Sequence, residues 1–335
     1  MRRLFFYKPT ELLPYINWIY FFHAWGLPPR FNGIANVHNC KACRMSWVNS
    51  FSENERVQAR EAEHLHSEAI GLLRTMNDCY EARALVELLP AWSQDEDLIV
   101  VKAPQLPETS PSVETSVSDL KTTVLPLLRQ QSPKSVSQPN LCLADFISPY
   151  PPDEPLIRKR LYTGTPDADV NNTLGIFATS VHNITGTTFN SDSYTHMLVQ
   201  TLSDRLSEAA AEKMHEEVRR CFWGYAPEEH LLPHELFSER YQGLRPAVGY
   251  PSLPDQSLIF LLDQVADFGE IGIELTENGM MLPHAATAGL MFGHQAAQHF
   301  SIGCIDETQF TDYAGRRAMP ADRLRRFLSR NLRSL

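Results

Sequence analysis

The chain has 335 residues, 43% of them hydrophobic and 21% charged, with a formal net charge of −10. That is the composition of a globular protein with a core large enough to stand without disulfide staples. The negative balance excludes a general grip on a nucleic-acid backbone, because phosphate binding needs clustered excess cations. No run of eighteen apolar residues occurs, so no membrane-spanning helix is expected. Arg2 and Arg3 imitate the basic start of a signal peptide, but Lys8, Pro9 and Glu11 break the apolar run that would have to follow. Six cysteines in a chain this long are not a disulfide framework, and they suit a reducing cytoplasm.

Tyr15, Trp18, Ile19, Phe22 and Trp25 recur at three- and four-residue spacing, which predicts a helix with an aromatic stripe. Residues 54 to 88, dense in Glu, Ala and Leu, predict a longer one. The first hundred residues are therefore expected to be mostly helical, with a short buried strand at 97-DLIVV-101. Two Pro/Ser/Thr-rich stretches, Pro104 to about Ser118 and Ser132 to Pro139, read as loops, and Leu120 to Gln131 between them as a short helix. Beyond 141-LCLADFI-147 and a proline cluster, 174-LGIFATSV-181 has the length and β-branched content of a central strand. Asp192 to Trp223 predicts the longest helix, uninterrupted by Gly or Pro and stopped at Gly224. A Gly/Pro-punctuated segment, 243–257, leads to a short helix, to strands around 271-IGIEL-275 and 300-FSIGCI-305, and to a closing helical pair. Asp306 with Gln309 forms a capping arrangement at the start of that pair. Strands do not alternate regularly with helices and no glycine-rich loop follows a strand, so the fold class is α+β rather than doubly wound. The expected organisation is one domain over 1–335: a mostly helical part (1–100), a loop-rich stretch (104–139) and an α+β core (140–335).

The string that points to chemistry is 241-YQGLRPAVGYP-251. Arg245 precedes Gly249 and Tyr250 by four residues; the glycine lets a ligand approach the backbone, and the tyrosine adds a flat face and a hydroxyl. A methionine-derived sulfonium ligand needs an Arg for its carboxylate, backbone amides for its adenine, and electron-rich or anionic surroundings for its cation. The same string also reads as a surface loop rich in turn formers. Cys40-x-x-Cys43 beside His38 is open to three readings: ordinary thiols, half of a metal site completed by distant residues or a partner, or a redox pair. Cys142 and Cys221 read as small core residues. Arg316, Arg317, Arg323, Arg325 and Arg326 form a basic cluster suited to an acidic protein surface.

The string 241–251 resembles the Arg-x-x-x-Gly-Tyr motif of the activation domain of cobalamin-dependent methionine synthase, with Arg245, Gly249 and Tyr250 in place. The likeness extends along the chain. The string 15-YINWIYFFHAW-25 resembles that family's Tyr-Ile-Asp-Trp-x-x-Phe-Phe-x-x-Trp opening, and 128-LRQQ-131, 141-LCLADFISP-149, 192–216 and 223-WGYAPEE-229 follow in order, as does the tract from Glu274 to Leu332. It is weakest from about Pro28 to Leu98 and near residue 110. The resemblance implies a twisted antiparallel sheet flanked by helices. It also implies that S-adenosylmethionine is bound by Arg245, Ala247, Gly249 and Tyr250, with Glu208 on the long helix as the acidic partner. The family's N-terminal ligand aspartate falls on Asn17, which keeps an acceptor but not the charge. The family's late tyrosine pair falls on His299 and Phe300.

The activity this resemblance implies is reductive methylation of cobalamin that has been oxidised to Co(II), with the methyl from S-adenosylmethionine and the electron from a flavodoxin-like donor. No Asp-x-His-x-x-Gly cobalamin-ligand motif and no Gly-Cys-Cys-like zinc-thiolate site occurs in the sequence. The expectation is thus a free-standing module, a methyltransferase component incomplete on its own, acting with a separate cobalamin-binding methionine synthase chain. The replacements at 17, 299 and 300 leave a second reading: a non-catalytic binding or scaffold module for another corrinoid protein, or a degenerate paralogue.

Overall fold

The structure is a computed structural model that describes residues 1–102, 120–131, 139–151, 169–187, 189 and 192–332. The chain runs β1 (Arg2–Tyr7), α1 (Trp18–Ala24), α2 (Lys41–Asn49), α3 (Arg56–Met76), β2 (Tyr80–Gln94), β3 (Asp97–Lys102), β4 (Lys121–Pro126) and β5 (Thr173–Asn183). It continues with α4 (Ser193–Glu217), α5 (Pro233–Leu236), α6 (Leu258–Ala266), β6 (Glu274–Leu275), β7 (Met281–Leu282), β8 (Ala286–Met291), α7 (Glu307–Arg316) and α8 (Ala321–Phe327). Short 3-10 turns, Pro9–Tyr15 and Pro29–Asn36 among them, fill several of the gaps.

Two long strands, β2 and β5, are apolar on both faces, and this decides the architecture. Ala84, Val86 and Leu88 of β2 share a core with Phe177 and Val181 of β5 and with the buried residues of α1, α2, α3 and α4. The intervening Leu85 and Leu89, with Leu174, Ile176 and Ala178, point the other way into a core built with α6, α7 and α8. The period of two along a strand sends neighbours to opposite faces, so one central sheet separates two helical layers.

The sheet order is β4-β3-β2-β5-β8, antiparallel throughout. One edge of β2 is shared end to end, β1 taking Ala82–Glu87 and β3 taking Ala91–Gln94. A mixed helical and antiparallel-sheet fold is what the sequence predicts, but several elements differ. The expected helix over 54–88 ends at Met76, and 80–94 is β2. A strand buried on both faces has no alternation to betray it, and this one is rich in Ala, Leu and Glu, which are good helix formers. The expected helix over 120–131 begins instead as β4, where Thr122, Thr123 and Val124 stiffen the chain toward β and Pro126 closes it. Residues 300–305 form no strand beyond a single bridge from Ile305 to Leu332. The strand in this part of the chain is β8. The predicted loops Pro104–Ser118 and Ser132–Pro139 lie outside the described residues, Pro139 apart.

Helix α4 lies across the sheet. Asp192 caps it, its side chain accepting the Thr195 N–H at 2.7 Å. The small residues Ala209, Ala210 and Ala211 are fully buried in the core on this side of the sheet, and Thr179 of β5 donates to the Ser207 carbonyl at 3.0 Å. Asp306 caps α7 through the Gln309 N–H at 2.8 Å, as the sequence predicts.

The free edge of β8 takes up the segment 244–248 as a short extra strand. The Leu244 N–H donates to Phe292 O and the Phe292 N–H returns to Leu244 O, while Leu290 donates to Pro246 O and Val248 to Ala288 O, at 2.8–3.0 Å. This close approach depends on Gly289, where an added Cβ would lie 2.1 Å from the Pro246 carbonyl oxygen. Gly289→Ala is therefore expected to destabilise the protein by about 1–3 kcal/mol, as overpacking does. The urea midpoint measures it; an unchanged midpoint would show that the segment is free to move off the edge.

Candidate functional site

The annexed segment, α4, α1 and the turn after α5 surround a cleft of about 480 Å³. Arg205, Glu208 and Glu212 line one side, spaced three and four residues apart on α4 and so on one stripe of the helix. Arg245 faces them from the segment on β8. Its guanidinium is paired with Glu212 and lies over the Phe177 ring of β5, 5.4 Å from its centroid. Glu208 is held by Arg205 at 2.7 Å. Glu239 enters from the turn after α5, at a left-handed φ of 53° uncommon for a non-glycine residue, and its Oε1 lies 3.1 Å from His299 Nε2.

Burial dominates the electrostatics. It raises the Glu208 carboxyl above the ordinary range, against the pull of Arg205 and Arg245. Burial alone would lower Arg245, yet Glu212, Tyr241, Glu208 and Glu239 together hold its pKa above the usual arginine value. The hydrogen bond with His299 pulls Glu239 the other way, below the usual carboxylate range. Burial raises the Tyr241 phenol, with Glu212 adding to it. Beneath the cleft, Arg219 is fully buried, bonded to both carboxylate oxygens of Glu229 at 2.6–3.0 Å and stacked 4.0 Å from the Tyr241 ring centroid. His215 meets the same ring edge-on at 5.0 Å.

Of the residues expected from the sequence, Asn17, Glu208, Arg245, Ala247, Tyr250 and His299 line this cleft. Asn17 has a second task there, its Oδ1 accepting the Ile19 N–H at 3.2 Å as the N-cap of α1. Gly249 lies instead on a neighbouring cavity of about 1360 Å³, which shares Tyr250 with the cleft. The glycine is required by its φ of 88°, and nothing among the described residues crowds it. The N–H groups of Val248, Gly249 and Tyr250 all donate to backbone carbonyls, so these three amides are not free for an adenine. Phe300 departs from the expectation: it is buried in the opposite core, its ring 6.4 Å from that of Phe146. Successive residues of the chain point to opposite sides, and only His299 reaches the cleft.

Glu212, Glu239, Tyr241 and Arg205 were not singled out by the sequence. The signal for Glu212 is its place one helical turn beyond Glu208; Tyr241 opens the Arg–Gly–Tyr string itself. The C-terminal basic cluster is divided: Arg317 is buried and Arg316 half-buried, whereas Arg323, Arg325 and Arg326 are exposed. Arg317 is buried, donating to Asp255 and Ser257 at 3.1 and 2.8 Å, and Arg316 and Arg325 pair with Asp312 and Glu307. Arg323 and Arg326, joined by Arg330, line the larger cavity. Cys142 is buried as expected, whereas Cys221 is exposed and is not a core residue. No helix among the described residues is long and apolar enough to cross a membrane.

Two buried histidines make stability depend on pH. Burial, with Arg219 and Arg245 adding to it, lowers His215 well below its usual value, and burial with Arg44 lowers His66 to about 4. Both are neutral in the folded chain, while the unfolded chain takes up protons near pH 6.5. Stability should be flat above about pH 6.5 and fall as the pH drops from there toward 4. Urea midpoints across this range are expected to decline more steeply for the wild type than for His215→Gln; parallel slopes would mean that His215 titrates normally.

The family model described as vitamin B12 dependent methionine synthase, activation domain, matches residues 9–318. A solved structure described as the crystal structure of the MetH reactivation domain bound to AdoHcy is similar to this fold, with a TM-score of 0.74. The two sequences are 28% identical, and the likeness covers 100% of this chain and 91% of that one. The match runs from the aromatic helix through β8 and α7, and so spans every element around the cleft. The chain belongs to the activation-domain family of vitamin B12-dependent methionine synthase.

Proposed function

We propose that the cleft binds S-adenosylmethionine and presents its methyl group for reductive methylation of cobalamin held by a separate cobalamin-bearing methionine synthase chain. The observation that carries this reading is the arrangement around Arg245: a mostly buried guanidinium faced by Glu208, Glu212 and Glu239 in a cleft of about 480 Å³. That size falls within the roughly 300–1,000 Å³ common for small-molecule sites. AdoHcy, the ligand of the similar solved structure, is the same molecule without its methyl group and sulfonium charge.

The groups present fit such a ligand. Its carboxylate suits Arg245, which it must share with Glu212. Its ammonium and sulfonium suit a site in which three carboxylates outnumber two guanidiniums. The ring of Tyr250, 55% exposed, offers an electron-rich face. Methyl transfer from a sulfonium moves no proton, so the chain's residues act by holding, orienting and excluding water. Cobalamin on the partner chain would supply the metal centre for the methyl group, and a flavodoxin-type donor would supply the electron. The larger cavity beside Tyr250, with Arg323, Arg326 and Arg330 on its wall, supports docking of an acidic partner surface at this side. Six free cysteines support a reducing, cytoplasmic setting.

Calorimetry with S-adenosylmethionine tests the cleft. Arg245→Ala should weaken binding by about 1.5–3 kcal/mol, the cost of losing a charge-assisted contact; equal binding by the two proteins would sink the assignment. Asn17→Asp should tighten binding, since it restores a negative charge while keeping an N-cap acceptor. Acidification should weaken the wild type at a pH above the ordinary glutamate range, because the raised Glu208 carboxyl protonates early and loses its attraction for the cation. Glu208→Gln should bind weakly and lose that pH dependence. For the reaction, methylcobalamin should form from a cobalamin-loaded synthase fragment lacking its own activation domain, a reducing flavoprotein and S-adenosylmethionine only when this chain is added. Formation at the same rate without it would refute the role.

A further inference from the structure

Far along the chain from the ligand segment, at the start of α2, His38, Cys40 and Cys43 each present one donor atom, and these atoms all lie within 4.8 Å of one another. The arrangement is local in origin. Cys40 is the N-cap of α2, its Sγ accepting the Cys43 N–H at 3.3 Å, so one helical turn brings the two sulfurs together. A helix N-terminus also favours sulfur in its thiolate form.

The frame beneath them is rigid. Arg44, the residue after Cys43, is buried, and its guanidinium donates to Glu63 and Ser67 of α3 at 2.9 Å and meets His66 Nδ1 at 2.7 Å. Trp47, one turn on, packs edge-on against Phe51 with ring centroids 4.8 Å apart. Cys43, carried on this pinned helix, and Cys40, its N-cap, keep their spacing without a ligand.

We infer that His38, Cys40 and Cys43 form a binding site for a thiophilic divalent cation of the zinc class, with three protein ligands and an open fourth position. Two sulfurs and an imidazole nitrogen are the donor set zinc prefers, whereas calcium and magnesium need oxygen ligands. The group contains no carboxylate. His38 and Cys43 are exposed, so the remaining position is open to solvent or to a partner's ligand, unlike the closed four-ligand sites that hold a fold together. Nothing in the proposal depends on the S-adenosylmethionine cleft.

The test uses the full chain, reduced with a phosphine and freed of metal, titrated first with Co²⁺ as a spectroscopic probe and then with Zn²⁺. One equivalent of Co²⁺ should bind with the near-ultraviolet sulfur-to-cobalt band and the visible absorption of a tetrahedral site, and Zn²⁺ should displace it. Cys40→Ser and Cys43→Ser should lose saturable binding. His38→Ala should keep the sulfur band but release the metal to a smaller excess of chelator. Far- and near-ultraviolet dichroism matching the wild type would confirm that the variants are folded. Failure of the reduced wild type to bind Co²⁺, or equal binding by Cys43→Ser, overturns the proposal. So does a pair that closes to a disulfide in air while its reduced form ignores the metal, which would make it a redox couple.

Discussion

The ion pair between Arg245 and Glu212 fastens three parts of the chain at one point. Arg245 belongs to the segment annexed to β8, Glu212 to α4, and the guanidinium rests on Phe177 of β5. A charge buried to this degree costs several kcal/mol unless it is paired, so the carboxylates around it follow from the decision to bury it. The pair is not saturated: Arg245 Nε and Glu212 Oε2 are both buried without a hydrogen-bond partner among the described residues. Buried polar atoms of this kind are uncommon in a finished structure, and here they sit on the wall of a cleft, where a ligand's polar groups could meet them.

The floor of the cleft is made rigid by a second buried charge. Arg219 is bonded to Glu229 and stacked on Tyr241, which in turn abuts His215. Removing either member of the Arg219–Glu229 pair would leave the other charged and dry, a loss of roughly 3–5 kcal/mol. Tyr241 is held between these groups and is part of the cleft's lining. The stability that these ion pairs demand comes from the two apolar cores on either side of the sheet, and positioning at the cleft depends on both.

The motif, the long helix, β3, β5 and the α7 cap are legible in the sequence because each has a local cause: a spacing, an uninterrupted helical run, a β-branched run or a capping aspartate. What is not legible has a tertiary cause. β2 is buried on both faces, so its pattern lacks the alternation that marks a strand. β8 is built from Ala286, Ala288 and Gly289, small because another backbone passes close by, and smallness carries no periodic signal. The assignment of Phe300 to the cleft treated two adjacent residues as a pair, although only one of two successive side chains can face it. Glu212 has a weak local signal, its place one helical turn beyond Glu208, but its pairing is set by an arginine 33 residues away in the chain.

Asn17 and His299 look unrelated in sequence, yet in the cleft they are one electrostatic change. Capping alone does not select asparagine at position 17, since aspartate caps a helix equally well; what the position lacks is a charge. At the other side, the His299 imidazole hydrogen-bonds Glu239 and keeps its carboxyl ionised, where a phenol would stand in the family pattern that the sequence resembles. With Asn17 neutral, Glu208, Glu212 and Glu239 set against Arg205 and Arg245 leave a single negative charge. The S-adenosylmethionine proposed for the cleft, with a sulfonium, an ammonium and a carboxylate, would bring a single positive charge to it. An aspartate at 17 would add attraction for the cation, and a protonated His299 would subtract from it. Both replacements therefore act on the same quantity, the negative potential that the cleft presents.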